Sequence, residues 1–308
     1  GLGDVYKRQE QGRNFTTKMW NAFKLVKTWE IADIAQPQHS ALALTWFENV
    51  INKAKETLNT QFEQYRISEA LMTVYTTFRD EFSSWLLEII KPAYGQPIDR
   101  KTYEKTLDLF AELLQLLHPF MPFITEEIWQ NLKERKTGES IMVSVINNDT
   151  PYDENLLKEF EFVKEIIVGI RNIRKQNNIA FKDSLELKVK KNDRYPAAFA
   201  SIVEKMGNIS ATETVTEAVK GAWSFIVDTV EYFIPGTGNV DTAEVKAKLE
   251  EELKYTRGFL KSVMAKLSNE RFVSGAPEQV VANERKKQAD AEAKICLLYT
   301  SDAADDRI

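Results

Sequence analysis

A chain of 308 residues that is 43% hydrophobic and 11% aromatic carries enough apolar side chains for roughly two domains of about 150 residues each, which excludes general disorder and a small staple-dependent module. With 41 Lys and Arg against 46 Asp and Glu the net charge is −5, so a surface that coats itself in polyanion is excluded and any nucleic-acid contact must be local. One cysteine and two histidines cannot close an internal disulfide or a structural zinc site, and no apolar run approaches about 18 residues, so a reducing, cytoplasmic setting without a membrane span is expected.

The two ends fit neither neighbouring pattern. One back-translation of Asp4-Val-Tyr-Lys-Arg-Gln9, read on the opposite strand, encodes the Cys296-Leu-Leu-Tyr-Thr stretch and the start of Ser301. Both stretches resemble translated sequencing-adaptor DNA, so residues 1–9 and 296–308 are expected to stand outside the fold, and Cys296 with them. What remains reads as a piece of a longer protein.

From Gln11 to about Lys136 the pattern is helical, broken at Pro37, at Pro92 to Pro97 and at His118-Pro119, which implies five helices. The clearest carries Ile67, Leu71, Val74, Phe78, Phe82, Trp85 and Ile89 at three- and four-residue steps and stops at Lys91-Pro92. Another runs from Asp99 to Leu117. Short connections between long amphipathic helices predict an antiparallel bundle over residues 10–137.

After Gly138 the texture changes, and residues 138–238 read as a small α+β domain. Ile141 to Ser144 is short and β-favouring, Asn147 to Pro151 is loop, and a helix runs from about Glu154 to Asn177. Leu185 to Lys190 alternates as a half-buried strand should; Trp223 to Val227 and Val230 to Ile234 are further strands around a helix near 196–206. Gly236-Thr-Gly238 makes a joint. Residues 239–295 then read as an antiparallel coiled-coil hairpin. Its first arm spaces Val245, Leu249, Leu253, Thr256, Leu260, Val263 and Leu267 as a seam, Ser268 to Pro277 is a turn, and the second arm offers Val281, Glu284, Gln288, Ala291 and Ile295. The whole is mainly α.

Between Leu253 and Lys287 the formal charge is +5, a basic tip on an acidic chain. Such groups can converge on a phosphate backbone, or form the solvated face of a coiled coil. Catalytic signatures are missing: no Gly-x-x-x-x-Gly-Lys loop, no Gly-x-Ser-x-Gly elbow, no His-Glu-x-x-His pair. Glu126 and Glu127 are adjacent, diverge by about 100° on a helix and read as solvated. His118, before Pro119, suits a capping or packing role, and His39 is given none.

Three stretches carry a family likeness: Gly12-Arg-Asn-Phe-Thr-Thr-Lys-Met-Trp-Asn-Ala22, Tyr65-Arg-Ile-Ser-Glu-Ala-Leu71 and His118-Pro-Phe-Met-Pro-Phe-Ile-Thr-Glu-Glu-Ile-Trp129. They resemble the anticodon-binding helical domain of class I aminoacyl-tRNA synthetases of the valine, isoleucine and leucine group. Ser140 to Ser144, Ile170-Arg-Asn-Ile-Arg174 and Lys266-Leu-Ser-Asn-Glu-Arg-Phe-Val273 with Ala276-Pro277 are most similar to the C-terminal part of the valyl-tRNA synthetases, including their terminal coiled-coil arm. The likeness spans about Glu10 to Lys294. The nucleotide-binding core, its signatures and the editing domain are missing, so this chain alone is not expected to activate valine.

The resemblance implies a tRNA-binding part of a ligase that joins valine to its tRNA, with ATP and magnesium used by the full-length enzyme, a monomer, and no cofactor in this chain. It implies that the first helix presents the anticodon-reading face, with Arg13 as a base or phosphate fork, Lys18, Lys24 and Lys27 as cations and Trp29 as a stacking platform. Asn14 and Asn21 are expected to bond neighbouring helices. It further implies that Lys254, Arg257, Lys261, Lys266 and Arg271 lie on tRNA backbone phosphates. The competing reading is a helical scaffold whose coil dimerises without RNA, and the short second arm leaves self-association open.

Overall fold

A computed structural model of the chain describes residues 2–146, 151–236, 242–269, 272, 275 and 278–305, with side chains for 9–146, 151–236, 253–269, 272, 275 and 279–295. Two units follow one another, Gly1–Phe160 and Glu161–Ile308. The described residues are mostly helical, with small sheets.

The first unit holds α1 (Leu2–Lys27), α2 (Gln38–Glu63), α3 (Ile67–Thr76), α4 (Leu87–Ile90), α5 (Arg100–Leu117) and α6 (Pro122–Leu132). Their ends follow from the sequence. Pro37 is the N-cap of α2, Pro122 opens α6 where a missing N–H costs nothing, and Asp99 caps α5 by accepting from the Thr102 amide at 2.8 Å. Two-residue strands β1 (Ile31–Ala32) and β2 (Ile98–Asp99) pair in parallel, too short to leave a sequence signal.

The stretch read as one amphipathic helix over 67–89 is built differently. Between α3 and α4 the residues Thr77–Leu86 form a π-helix. Along the whole stretch Ala70, Val74, Phe78, Phe82, Leu86 and Ile90 are buried in a four-residue repeat, flanked by buried Thr77, Leu87 and Ile89, while Ile67 and Leu71 face solvent and Trp85 is half-buried. In an α-helix such a repeat drifts by about 40° per step and would leave the core within a few turns. Widening the ladder to i→i+5 reduces the rotation per residue and keeps the repeat in line. Phe47, Phe78, Phe82 and Phe110 meet there with ring centroids 4.8 to 5.9 Å apart, and Trp46 lies flat on Phe160 at 3.9 Å.

Ile141–Val143 is a 3₁₀ turn rather than the expected strand. Its donors are satisfied locally: the Glu126 carboxylate accepts from Ser140 Oγ (2.7 Å) and the Ile141 amide (3.2 Å), and Ser140 Oγ accepts from the Met142 amide. Glu126 is therefore engaged rather than solvated. Burial raises its pKa, but hydrogen bonds from Gln130, Ser140 and Ile141 and the nearby His118 more than offset this and hold it below the usual value. His118 ends α5 and its Nδ1 lies 2.7 Å from Thr125 Oγ1.

α7 (Glu154–Gln176) begins in the first unit and continues through the unit boundary. In the second unit β3 (Leu185–Lys190), α8 (Ala200–Gly207), β4 (Ile209–Val215), β5 (Ala222–Val227) and β6 (Val230–Pro235) form a four-stranded sheet in the order β4-β3-β6-β5. β3 and β4 are parallel and joined through α8; β5 and β6 are a hairpin turned by Asp228 and Thr229, both at positive φ. β4 escaped the sequence reading because this edge strand is mostly exposed and polar. Gly169 of α7 is needed where it stands, since a Cβ there would lie 2.3 Å from the Phe225 ring. Arg174, 5% exposed, donates to the carbonyls of Ala180, Asp183, Gly207 and Asn208 at 2.8 to 3.2 Å, closing the end of α8 onto the turn before β3.

α9 (Thr242–Leu267) and α10 (Glu278–Asp305) pack against each other, and α10 also touches β5. From α9 they bury Thr256 and Val263, and from α10 Val281, Glu284 and Ala291; Leu253, Leu260 and Leu267 are half-buried. The predicted seam positions Val245 and Leu249 have no described side chains, and Thr237 and Gly238 of the expected joint lie outside the described residues. At the two ends the backbone continues the helices α1 and α10, through 2–9 and 296–305.

Candidate nucleic-acid interface

α1 is sorted into faces by its spacing. Phe15, Met19, Ala22, Phe23 and Val26 turn inward and are buried; Phe15 packs on Tyr75 (4.6 Å) and Phe78 (5.5 Å), which fixes the helix against α3 and the π-helical stretch. Arg13, Lys24 and Lys27 turn outward and are exposed, Lys18 is half-buried, and Trp29 is half-buried just past the helix end. Four of the five predicted residues thus share one helix, with Trp29 beyond its end, without sharing one role. Lys18 Nζ donates to the Arg79 carbonyl at 3.1 Å, and Lys27 Nζ lies 3.5 Å from the Leu132 carbonyl. Arg13 and Lys24 make no side-chain hydrogen bond or ion pair among the described residues.

A groove of about 310 Å³ runs along α1, lined by Asn14, Lys18, Asn21, Leu25, Ser83 and Glu88 among others. Asn14 and Asn21, seven residues apart, face into it, and neither makes a side-chain hydrogen bond among the described residues. The expectation that they bond neighbouring helices is not met. Two free amides supply both donors and acceptors, the chemistry that meets a base edge, and Lys18 stands between them. Ser83 and Glu88 were missed because they come from the far wall, and only the fold brings residues 14–25 and 83–88 together. Across the same wall Arg79 forks onto Asp80 (2.7 and 2.8 Å) and lies over the Tyr75 ring. The Asp80 and Tyr75 hydrogen bonds raise its pKa further from any physiological range.

On α9, Lys254, Arg257 and Lys261 are exposed on the side away from Thr256 and Val263. Lys266 is committed elsewhere. Its Nζ lies 3.7 Å from the Glu284 carboxylate, which also accepts from Lys287 at 2.6 Å and is almost wholly buried. The Lys287 hydrogen bond, against the effect of burial and with help from Lys266, lowers the Glu284 pKa. Lys286 pairs with Glu165 at 3.6 Å. Part of the basic tip is therefore spent on carboxylates, and Arg271 lies outside the described residues. Among the described residues no three His, Cys, Asp or Glu side chains gather as a metal site would, and no helix is long and apolar enough to cross a membrane.

Comparison with known proteins finds two family domains along the chain. Residues 45–190 match the family described as the anticodon-binding domain of tRNA ligase, and residues 241–300 the valyl tRNA synthetase tRNA-binding arm. The first match starts after α1. Among relatives, a valine–tRNA ligase of Phocaeicola vulgatus is 57% identical over 96% of this chain and 34% of its own length. Those of Parabacteroides distasonis and Christiangramia forsetii are 53% and 48% identical over 96% and 95% of the chain. The chain spans about a third of the length of these relatives. With two family domains in order and such identity along nearly all its length, the chain belongs to the valine–tRNA ligase family.

Proposed function

We propose that this chain is the tRNA-binding portion of a longer valine–tRNA ligase, and that it binds the anticodon region through residues 10–137 and the tRNA body through the arm, 239–295, with 138–238 as a connecting domain. In this reading the bundle is antiparallel, α9 and α10 form a coiled-coil hairpin, and residues 1–9 and 296–308 are adaptor-derived. Arg13 and Lys24 meet RNA directly, Lys27 and Trp29 flank them, and the groove at Asn14, Lys18 and Asn21 takes a base edge. Lys254, Arg257 and Lys261 hold backbone phosphates, with Lys266 and Arg271 as further cations. The observation that carries the reading is the pair of family matches, residues 45–190 and 241–300, on two separate parts of the chain.

Amino-acid activation, with ATP and magnesium, belongs in this reading to the part of the longer protein outside this chain. The residues here do not fit those groups: the sequence has no phosphate-cradling glycine loop, and no carboxylate cluster stands ready for a cation among the described residues. The full-length protein is read as a cytoplasmic monomer.

Fluorescence anisotropy with a labelled valine tRNA transcript, titrated between about 50 and 200 mM salt, tests the reading. Binding that weakens log-linearly with salt, and is tighter than to the same transcript with a changed anticodon, is expected. Absence of binding at the low-salt end would refute it.

A further inference from the structure

We propose, resting on the tRNA-binding reading, that α9 holds RNA by base planes as well as by phosphates: Tyr255 and Phe259 form a stacking strip beside the phosphate strip of Lys254 and Lys261. Tyr255 is 76% exposed and Phe259 40% exposed. Four residues apart, they stand one above the other on a single flank of the helix. Lys254 and Lys261, seven apart, share another flank, roughly 120° around. Between the flanks runs a crest of exposed small residues, Gly258, Ser262 and Ala265, and a Cβ placed on Gly258 would meet nothing within 4 Å.

Most of this surface stays in water, Tyr255 almost wholly and Phe259 over its outer part, where it borders the packed side of the helix. The helix buries Thr256 and Val263 on the side opposite the small-residue crest, with Leu260 half-buried beside them and Phe259 at their edge. Two large aromatic side chains left in water on one flank need an occupant, and the neighbouring charge selects it. In a chain of net charge −5 this helix sets two ammonium groups along its outer edge, which suits a polyanion that carries flat rings. A bare crest lets a sugar-phosphate chain approach the helix closely while bases turn toward the rings. Stacking tolerates any base, so this strip adds affinity without reading sequence.

The test uses the full chain and a labelled valine tRNA transcript. Tyr255→Leu/Phe259→Leu keeps apolar bulk and strong helix formers on an exposed face, so the helix is retained, which circular dichroism verifies. The double variant is expected to raise Kd at least about five-fold with an unchanged salt slope, while Tyr255→Trp preserves affinity. An unchanged Kd, or a loss that comes with a flatter salt slope, overturns the stacking strip and leaves the tRNA-binding reading intact. Dimerisation of the parent chain in sedimentation that the double variant abolishes, with RNA affinity unaltered, assigns the face to a second protein copy and also overturns it. Failure of the parent chain itself to bind tRNA overturns the underlying reading instead.

Discussion

The ammonium of Lys18 donates to the carbonyl oxygen of Arg79 at 3.1 Å, and the same oxygen accepts Ser84 Oγ at 2.8 Å. A charged donor from α1 thus closes on the backbone of the π-helical stretch and sets the width of the groove between them. Lys18→Met is expected to destabilise the first unit by about 1 to 2 kcal/mol in urea unfolding, since it removes a charged hydrogen bond to a part-buried carbonyl. Its effect on the salt slope of RNA binding should be smaller than that of Lys24→Met, whose ammonium is exposed.

Arg13 is exposed on the outer face, immediately before Asn14 of the groove. Its planar donors suit bidentate contact with one base or phosphate. Arg13→Ala should weaken binding of valine tRNA by about ten-fold and of a changed-anticodon transcript by less. Equal loss for both in parallel anisotropy titrations would reduce Arg13 to a generic cation.

Arg174 serves four carbonyls through one planar fork, which an ammonium cannot reproduce. Arg174→Lys is therefore expected to cost the second unit about 2 to 3 kcal/mol despite keeping the charge, because buried acceptors lose their donors. Thermal melting followed in the sheet signal checks it. A melting temperature equal to that of the parent would show that water or the lysine replaces the fork.

Glu284 draws Lys266 and Lys287 toward the contact between α9 and α10. Since its folded-state pKa is lowered, the stability it contributes is present above the ordinary value of 4.5 and is lost as the pH falls through the depressed one. Helicity of the arm should therefore decline on acidification below 4.5. Glu284→Leu removes that dependence, leaves the melting temperature equal or higher, and steepens the salt slope of RNA binding by up to about two units as both ammonium groups are freed.

Much of the fold was readable because the responsible forces are local. Pro37, Lys91-Pro92, Asp99 and His118-Pro119 mark helix ends through φ and capping, and Leu185 to Lys190 alternates as its one-sided burial requires. The misreadings came where a distant partner decides. Ile141 to Ser144 has strand composition, yet a carboxylate 15 residues earlier satisfies the Ile141 amide and curls it. β4 is polar because it lies at a sheet edge. At the site, Arg13 and Lys24 were visible as outward cations on a helix, whereas Ser83 and Glu88 gain meaning only from the wall that faces Asn14 and Asn21. Lys266 looked as available as Lys261, since nothing in its own helix announces Glu284.

The wide-laddered stretch at Thr77–Leu86 has a consequence for length variation. Its inward residues Ala70, Val74, Phe78, Phe82, Leu86 and Ile90 recur every four positions, about 0.4 residue per repeat more than an ordinary helix can align. Deleting a single exposed or half-buried residue there, such as Arg79, would leave the inward side chains at steps of 4, 4, 3, 4 and 4, a pattern that 3.6 residues per turn keep on one side. Shortening by one, which would swing half of α2 or α5 out of the core, is expected here to leave Leu87–Ile90 facing inward and to convert the segment into continuous α-helix.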